Sequence, residues 1–354
     1  MTTRTYPRRF VAAFAALLLA FSPLAASPIA AASSLGFTRV FYYRDGPKAL
    51  ASLKKNYRSI DILAPQSYTI DGAGNLAGEP PKKALRFAKG KGIAVVPLVT
   101  NGAFEAASVK AFLEDEGARD AAVKAMRDEA EARAYAGWQI DFEQVDASLK
   151  DEFTAFVAEA ERALEEDGRS LSVAVVAKVS DVPADYPNDL WQKLIGVYDY
   201  EALGEAADFV SVMSYDEPYK TGPVSPYPWL ERVLTYTLEK VPAEKISLGV
   251  PTYYWEREVG GKNRIMEIGG AAGVALAKEE RGAKTGYDEE MKTAFVKYRT
   301  ATGEERLVWH ENRRSIQDKL LLATEEGLHG VSVWALGLEL PETHRAFQAA
   351  IKKK

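Results

Sequence analysis

The chain has no cysteine and only three histidines, His310, His329 and His344, dispersed in sequence. Without cysteine there is no disulfide framework and no thiol for lipoprotein acylation. With so few imidazoles a dedicated zinc or iron site is not expected, and no other cofactor is expected either. No Gly-x-Gly-x-x-Gly follows the first strand candidate, where FYYRDGP stands instead, so a dinucleotide loop is missing. The longest apolar run, FVAAFAALLLAF at 10–21, falls short of the roughly 20 residues a spanning helix needs. The formal charge is −5, and the first 32 residues hold three arginines and no acid, which leaves −8 for the remainder. An acidic body with no evident basic cluster argues against nucleic acid as a partner.

What is present is ordinary globular composition: 354 residues, 47% hydrophobic and 27% charged. The length suits one large barrel or two smaller domains, and either buries a substantial core. Residues 1–32 read as a signal peptide. Arg4, Arg8 and Arg9 precede the apolar run, and SPLAASPIAAAS supplies small residues for cleavage after Ala26 or Ala32. A membrane anchor is the alternative; export to the periplasm or beyond is the expectation. The mature domain is then 33–354, expected as a monomer.

After residue 35, short apolar runs alternate with amphipathic stretches. Strand candidates are 37–43, 59–65, 92–99, 137–143, 171–177, 209–215, 246–252 and 330–336. Helix candidates include 105–134, 150–168 and 313–327, and the second of these puts Phe153, Phe156, Val157, Ala160 and Leu164 on one face. Some eight strand–helix units with near-continuously apolar strands predict an α/β fold, a parallel (β/α)8 TIM barrel; a doubly wound open sheet is the runner-up. One segment breaks the rhythm. Residues 256–310 are too long for a loop and predict a small α+β insertion between strand 7 and helix 7. It would hold a helix at 269–281 and a hairpin pairing KTAFVKYRT with ERLVWHE across ATGE. Lying on the strand-to-helix side, it would wall the catalytic face.

GWQIDFE at 137–143 is the most informative stretch. In a strand, Gly137, Gln139, Asp141 and Glu143 share one side, and Trp138, Ile140 and Phe142 the other. The apolar set suits packing under outer helices, and the polar set would point into the barrel, where unpaired charge is costly. Two carboxylates two positions apart crowd each other, so one should hold its proton at higher pH, as a general acid must. The plainer alternative is a pair facing solvent at a strand end or bridging to a loop.

This stretch resembles the signature of glycoside hydrolase family 18, the chitinase and N-acetylglucosaminidase family, which reads Asp-Gly-x-Asp-x-Asp-x-Glu. Asp141 and Glu143 match, while Ala136 and Gln139 depart in a way that resembles the branch that trims cell walls and spore cortex. SVMSYDEPY at 211–219 is similar to the family's sixth-strand motif, with Met213, Tyr215 and Asp216. GVPTYYW is similar to the seventh-strand motif, with Tyr253; the end of the chain resembles the closing helix and eighth strand, ending at Trp334; and APQSYTIDGAGNL at 64–76 looks like the second strand and loop of the cell-wall branch.

The resemblance implies retaining hydrolysis of β-1,4 linkages with the substrate's own acetamide as nucleophile, an exception to the two-carboxylate scheme. Glu143 would be the acid, Asp141 would orient the acetamide, and Tyr215 would donate to its carbonyl. Asp216, Trp334, Tyr253, Gln139 and Tyr42 would bind substrate, with Trp334 as the floor under the sugar. Gln139, being neutral, cannot share a proton with Asp141 as the family's aspartate can. The partner would be an N-acetylglucosamine-containing glycan, peptidoglycan or chitin fragments. Trp229, Tyr254 and Trp255 are the candidates for cleft aromatics, too few for a long chitin track. No wall-binding repeat or linker is visible, so targeting would fall to the barrel or a partner. A non-catalytic glycan-binding barrel is the alternative.

Overall fold

The computed structural model describes residues 37–102, 106–187, 189–219, 222–259 and 265–349; the leader expected at 1–32 lies outside the described residues. Fifteen strands are present among them: β1 Thr38–Tyr43, β2 Ile62–Ile70, β3 Leu76–Gly78, β4 Ala94–Val95, β5 Leu98–Thr100, β6 Gly137–Asp141, β7 Ser170–Val176, β8 Phe209–Met213, β9 Ile246–Pro251, β10 Tyr254–Glu258, β11 Ile265–Gly269, β12 Lys284–Asp288, β13 Thr293–Arg299, β14 Glu305–His310 and β15 Gly330–Trp334.

Eight of these, β1, β2, β5, β6, β7, β8, β9 and β15, pair in parallel, and β1 bonds to both β2 and β15. That double pairing closes the cylinder and excludes the open doubly wound sheet. Helices lie between successive strands in an outer ring, so the molecule is the expected (β/α)8 barrel.

Local chemistry explains where the elements depart from expectation. The third barrel strand is broken into β4 and β5 because Pro97 has no N–H to give the ladder; its carbonyl still accepts from the Gln139 amide at 2.9 Å. The second runs on through Pro65 to Ile70, because its end folds into an antiparallel hairpin with β3. The helix expected at 105–134 is two helices, Ala106–Glu114 and Glu116–Arg133. Asp115 separates them, its carboxylate accepting from the Ala118 amide at 3.2 Å as an N-cap.

The core has two parts. Between strands and helices lies a continuous apolar layer that includes Trp138, Ile140, Phe112, Phe142, Phe153 and Phe156. Inside the cylinder Val40, Tyr42, Ile62, Ala64 and Leu98 form a smaller cluster. Beside it, β7, β8, β9 and β15 each contribute a buried serine: Ser172, Ser211, Ser247 and Ser332.

The insertion follows the seventh barrel strand and precedes the helix Arg313–Glu325, where it was expected, but begins at Tyr254. It is an antiparallel sheet ordered β11-β10-β14-β13-β12, and β13 and β14 form the expected hairpin. The helix Ala271–Glu279 covers one face through Val274 and Ala277 against Tyr254, Val296 and Val308. The Ala271 amide donates to Leu338 O at 2.8 Å, which fastens the insertion to the loop after β15.

Candidate active site

Alternation along β6 turns Trp138 and Ile140 outward and Gln139 and Asp141 into the cylinder. Gly137 is required at the start of this strand, because a Cβ there would stand 2.1 Å from Ser170 O on β7. Asp141 is the last strand residue and is only 4% exposed, with its Oδ1 buried and lacking a hydrogen-bond partner.

Glu143 lies beyond the strand, so alternation alone does not place it. Two side chains do. Asn101, at the end of β5, receives the Glu143 amide on its Oδ1 at 3.1 Å and donates Nδ2 to the Glu143 carbonyl at 2.7 Å. Tyr198 donates its hydroxyl to the Phe142 carbonyl at 2.7 Å. Gln144 then turns away with φ 56°, a left-handed conformation seldom taken by a side-chain-bearing residue. Neither Asn101 nor Tyr198 was singled out from sequence. The Asn-Gly pair after the third strand reads only as a turn signal, and nothing local marks Tyr198 as reaching 56 residues back.

The electrostatics follow from this burial. Desolvation, and then the charge of Glu143, push the Asp141 carboxyl well above the usual range. Desolvation, and then the charge of Asp216, raise the Glu143 carboxyl above its ordinary value. Each carboxyl therefore holds its proton to higher pH than an exposed one does, and a charge on Glu143 discourages ionisation of Asp141.

Two strands along the cylinder, the chain leaving β8 brings Tyr215 and Asp216. Asp216 has φ 60° and accepts a 2.5 Å hydrogen bond from the Tyr253 hydroxyl, which comes from the turn between β9 and β10. The Tyr215 and Tyr253 rings meet edge to face at 6.4 Å. Gly249 permits this packing, since a Cβ there would press on Val212 O at 2.3 Å and on the Tyr215 ring at 3.0 Å. Burial raises both phenols well above their ordinary range, so both stay protonated and able to donate.

Trp334 ends β15, half-buried. Thr252 holds the main chain there, its amide on Trp334 O at 2.8 Å and its hydroxyl on Trp334 O and Ala335 O at 3.0 Å. The bond from Trp334 to Ala335 is cis.

Asp141, Glu143, Tyr215, Asp216, Tyr253 and Trp334 are thus gathered at the carboxyl ends of the strands. Two other expected binding residues are not on the cleft surface. Tyr42 is 1% exposed; its ring lies 5.2 Å from that of Trp334 and its hydroxyl is 2.8 Å from Ser211 Oγ, so it props Trp334 from below. Gln139, equally buried, donates Nε2 to Ser172 Oγ at 3.1 Å, and its Oε1 has no partner. Trp229, Tyr254 and Trp255 are all buried, so none serves as an exposed cleft aromatic.

The model of the family described as "Glycosyl hydrolases family 18" matches residues 71–339, which takes in the acidic strand, the Tyr215–Asp216 segment, the insertion and Trp334. The chain belongs to that family. As a family 18 hydrolase it is 28% identical over 332 residues to the uncharacterized glycosylase YvbX of Bacillus subtilis, covering 91% of this chain and 92% of YvbX. It is 26% identical over 292 residues to the cortical fragment-lytic enzyme of the same organism, covering 80% of this chain but 66% of that enzyme. Among solved structures, the chitinase of Chromobacterium violaceum ATCC 12472 superposes with a TM-score of 0.79 at 29% identity, over 90% of this chain and all of the chitinase. The spore cortex-lytic enzyme SleL of Bacillus megaterium QM B1551 shares the fold, with a TM-score of 0.79 at 24% identity over 89% of this chain and 74% of SleL.

Proposed function

We propose that this family 18 hydrolase acts outside the cytoplasm, cleaving β-1,4 linkages that follow N-acetylglucosamine in peptidoglycan or its fragments. The observation that carries this reading is the pair of buried Asp141 and half-buried Glu143, each carboxyl raised above its ordinary value, at a mouth shared with Tyr215 and floored by Trp334. The protonated Glu143 gives its proton to the glycosidic oxygen as the bond to the anomeric carbon breaks. The acetamide oxygen of the same sugar closes onto that carbon, giving an oxazolinium ion. Asp141, as the carboxylate, accepts from the acetamide N–H and offsets the positive charge, while the Tyr215 hydroxyl steadies the acetamide oxygen. Water then attacks the anomeric carbon as its bond to the acetamide oxygen breaks, the Glu143 carboxylate takes the water's proton, and the product keeps its configuration.

Peptidoglycan is favoured over chitin by the burial of Trp229, Tyr254 and Trp255, which removes the side chains an aromatic track would need. The relation to a cortical fragment-lytic enzyme points the same way. Export rests on the charged and apolar leader at 1–32.

Purified protein incubated with sacculi and with defined chitooligosaccharides, and products read by mass spectrometry, tests the reading; intact substrates in both would overturn it. Glu143→Gln should lower kcat by about 10²–10⁴-fold with little change in oligosaccharide affinity. A parent without turnover would instead favour a glycan-binding barrel. Asp216→Asn removes the neighbouring negative charge that helps hold the proton on Glu143, so the alkaline limb of the kcat/KM profile should move to lower pH. An unmoved limb would detach Asp216 from the acid.

A further inference from the structure

The charge is not spread as the bulk composition suggests. Residues 37–102 hold eleven Lys and Arg against four Asp and Glu, a formal +7, whereas residues 103–354 carry −15. The acidic body therefore does have a basic cluster, and the fold collects it on one flank.

The helix Pro47–Asn56 and the turn after it expose Lys48, Lys54, Lys55 and Arg58. The helix Lys82–Gly90 and its exit expose Lys82, Lys83, Arg86, Lys89 and Lys91. The two helices are neighbours. Tyr57 and Phe87 meet edge to face at 6.0 Å between them, and the Arg58 guanidinium and the Lys91 ammonium lie 4.9 and 5.0 Å from the centre of the Tyr57 ring.

None of the nine cations pairs with a carboxylate among the described residues. The acids nearest in sequence are otherwise engaged: Asp61 by Arg39, Asp71 by Asn75 and Asp45 by Tyr43, which leaves Glu79.

Helix stability does not account for the arrangement. Lys54, Lys55 and Lys89 sit in last turns, where the helix dipole favours cations, but Lys48, Lys82 and Lys83 sit in first turns, where it opposes them. The adjoining helices Glu116–Arg133 and Lys150–Glu166 behave otherwise. They place Glu116 and Asp151 in their first turns, and Arg119 pairs with Glu159 and Arg127 with Asp167, each at 2.8 Å. The basic flank also has relief: a cleft of about 450 Å3 beside the helix Lys82–Gly90 has Leu85, Ile93 and Tyr135 on its walls and Lys82, Arg86 and Lys89 along its edge.

We propose that this flank docks the enzyme on the carboxylate-bearing peptide stems of peptidoglycan while the barrel mouth works on the glycan. The inference rests on the reading of peptidoglycan as substrate. A neutral polymer such as chitin gives nine unpaired cations nothing to bind. An anionic matrix repels the rest of this molecule and attracts only this side, so it captures the enzyme in one orientation. The helices lie in the outer ring, so docking there leaves the mouth open.

The test is co-sedimentation of the full chain with purified sacculi and with chitin particles, at low salt and at about 0.3 M, where exposed charges are strongly screened. The parent should sediment with sacculi at low salt and be released at high salt, with no salt-sensitive binding to chitin. The set Lys82→Glu, Arg86→Glu and Lys89→Glu should bind sacculi at least about tenfold more weakly, as loss of several cations beside a polyanion predicts. The neutral set Lys82→Gln, Arg86→Gln and Lys89→Gln should fall between reversal and parent. Hydrolysis of a soluble chitooligosaccharide should stay within about twofold in both sets, since these side chains lie on an outer helix and are not among the residues gathered at the barrel mouth.

Sacculus binding indifferent to both salt and reversal overturns the docking. So does equal affinity of the parent for anionic phospholipid vesicles or for DNA, which would make the flank a general polyanion surface. Cleavage of sacculi with unaltered binding by the variants sinks the docking alone. Salt-sensitive binding lost on reversal, with no cleavage of either glycan, sinks the catalytic reading alone.

Discussion

The two faces of strand β6 show what the barrel gains and gives up. Outward, Trp138 packs edge to face on Tyr68 and Tyr135 at 4.9 and 5.6 Å, and its only polar atom donates to Met126 O at 3.0 Å. Every group there is satisfied. Inward, Gln139 and Asp141 share the cylinder with Tyr42 and four serines, and Gln139 Oε1 and Asp141 Oδ1 are buried with no hydrogen-bond partner. The same five residues therefore contribute cohesion on one side and, on the other, a destabilising arrangement that keeps a proton on the Asp141 carboxyl to higher pH. Stability and chemistry are divided by the pleat of one strand.

The largest effect should come from the outer face. Trp138→Ala should cost about 3–5 kcal/mol of unfolding free energy, read from the urea midpoint. Ser211→Ala inside the cylinder should cost about 1 kcal/mol, the value of its bond to Tyr42. A reversed order would dissolve the comparison.

Asp141→Asn should split activity from stability. The carboxyl holds its proton to higher pH when folded than when unfolded. What it contributes to stability is thus fully present below the unfolded value, near 4, and is lost as pH rises through the raised folded value. The amide escapes that loss, so the variant's melting temperature should match the parent's in acid and exceed it by about 2 °C or more in alkali. Turnover should nonetheless fall by about 10²-fold or more. A difference in melting temperature independent of pH would mean that the parent's carboxylate is not destabilised by burial.

Sequence patterning carried the barrel, because strands covered on both faces must be near-continuously apolar and these are. It also carried the insertion, because a hairpin flanked by turn residues is a local signal. Boundaries slipped where one residue overrode the pattern, at Pro97 and at Asp115. In the site, Asp141 was legible from alternation alone. Glu143 was legible by residue type but not by placement, since its position depends on Asn101 from another strand and Tyr198 from a distant turn. Tyr42 and Gln139 were found as members of the constellation and misplaced in depth. Period-two patterning tells inside from outside but not how far down the cylinder a side chain sits. The basic flank was missed because a whole-chain charge averages opposite ends.

The insertion enters through β10 and leaves through β14, and these two strands are hydrogen-bonded partners, with Trp255 opposite Trp309. Its two junctions with the barrel therefore lie side by side, like the ends of a clasp. Loops at the far end, such as the turn between β13 and β14, can lengthen or shorten without moving those junctions. The insertion is in this sense an exchangeable cassette, whose far loops can change in length while the cylinder that carries Asp141 keeps its form.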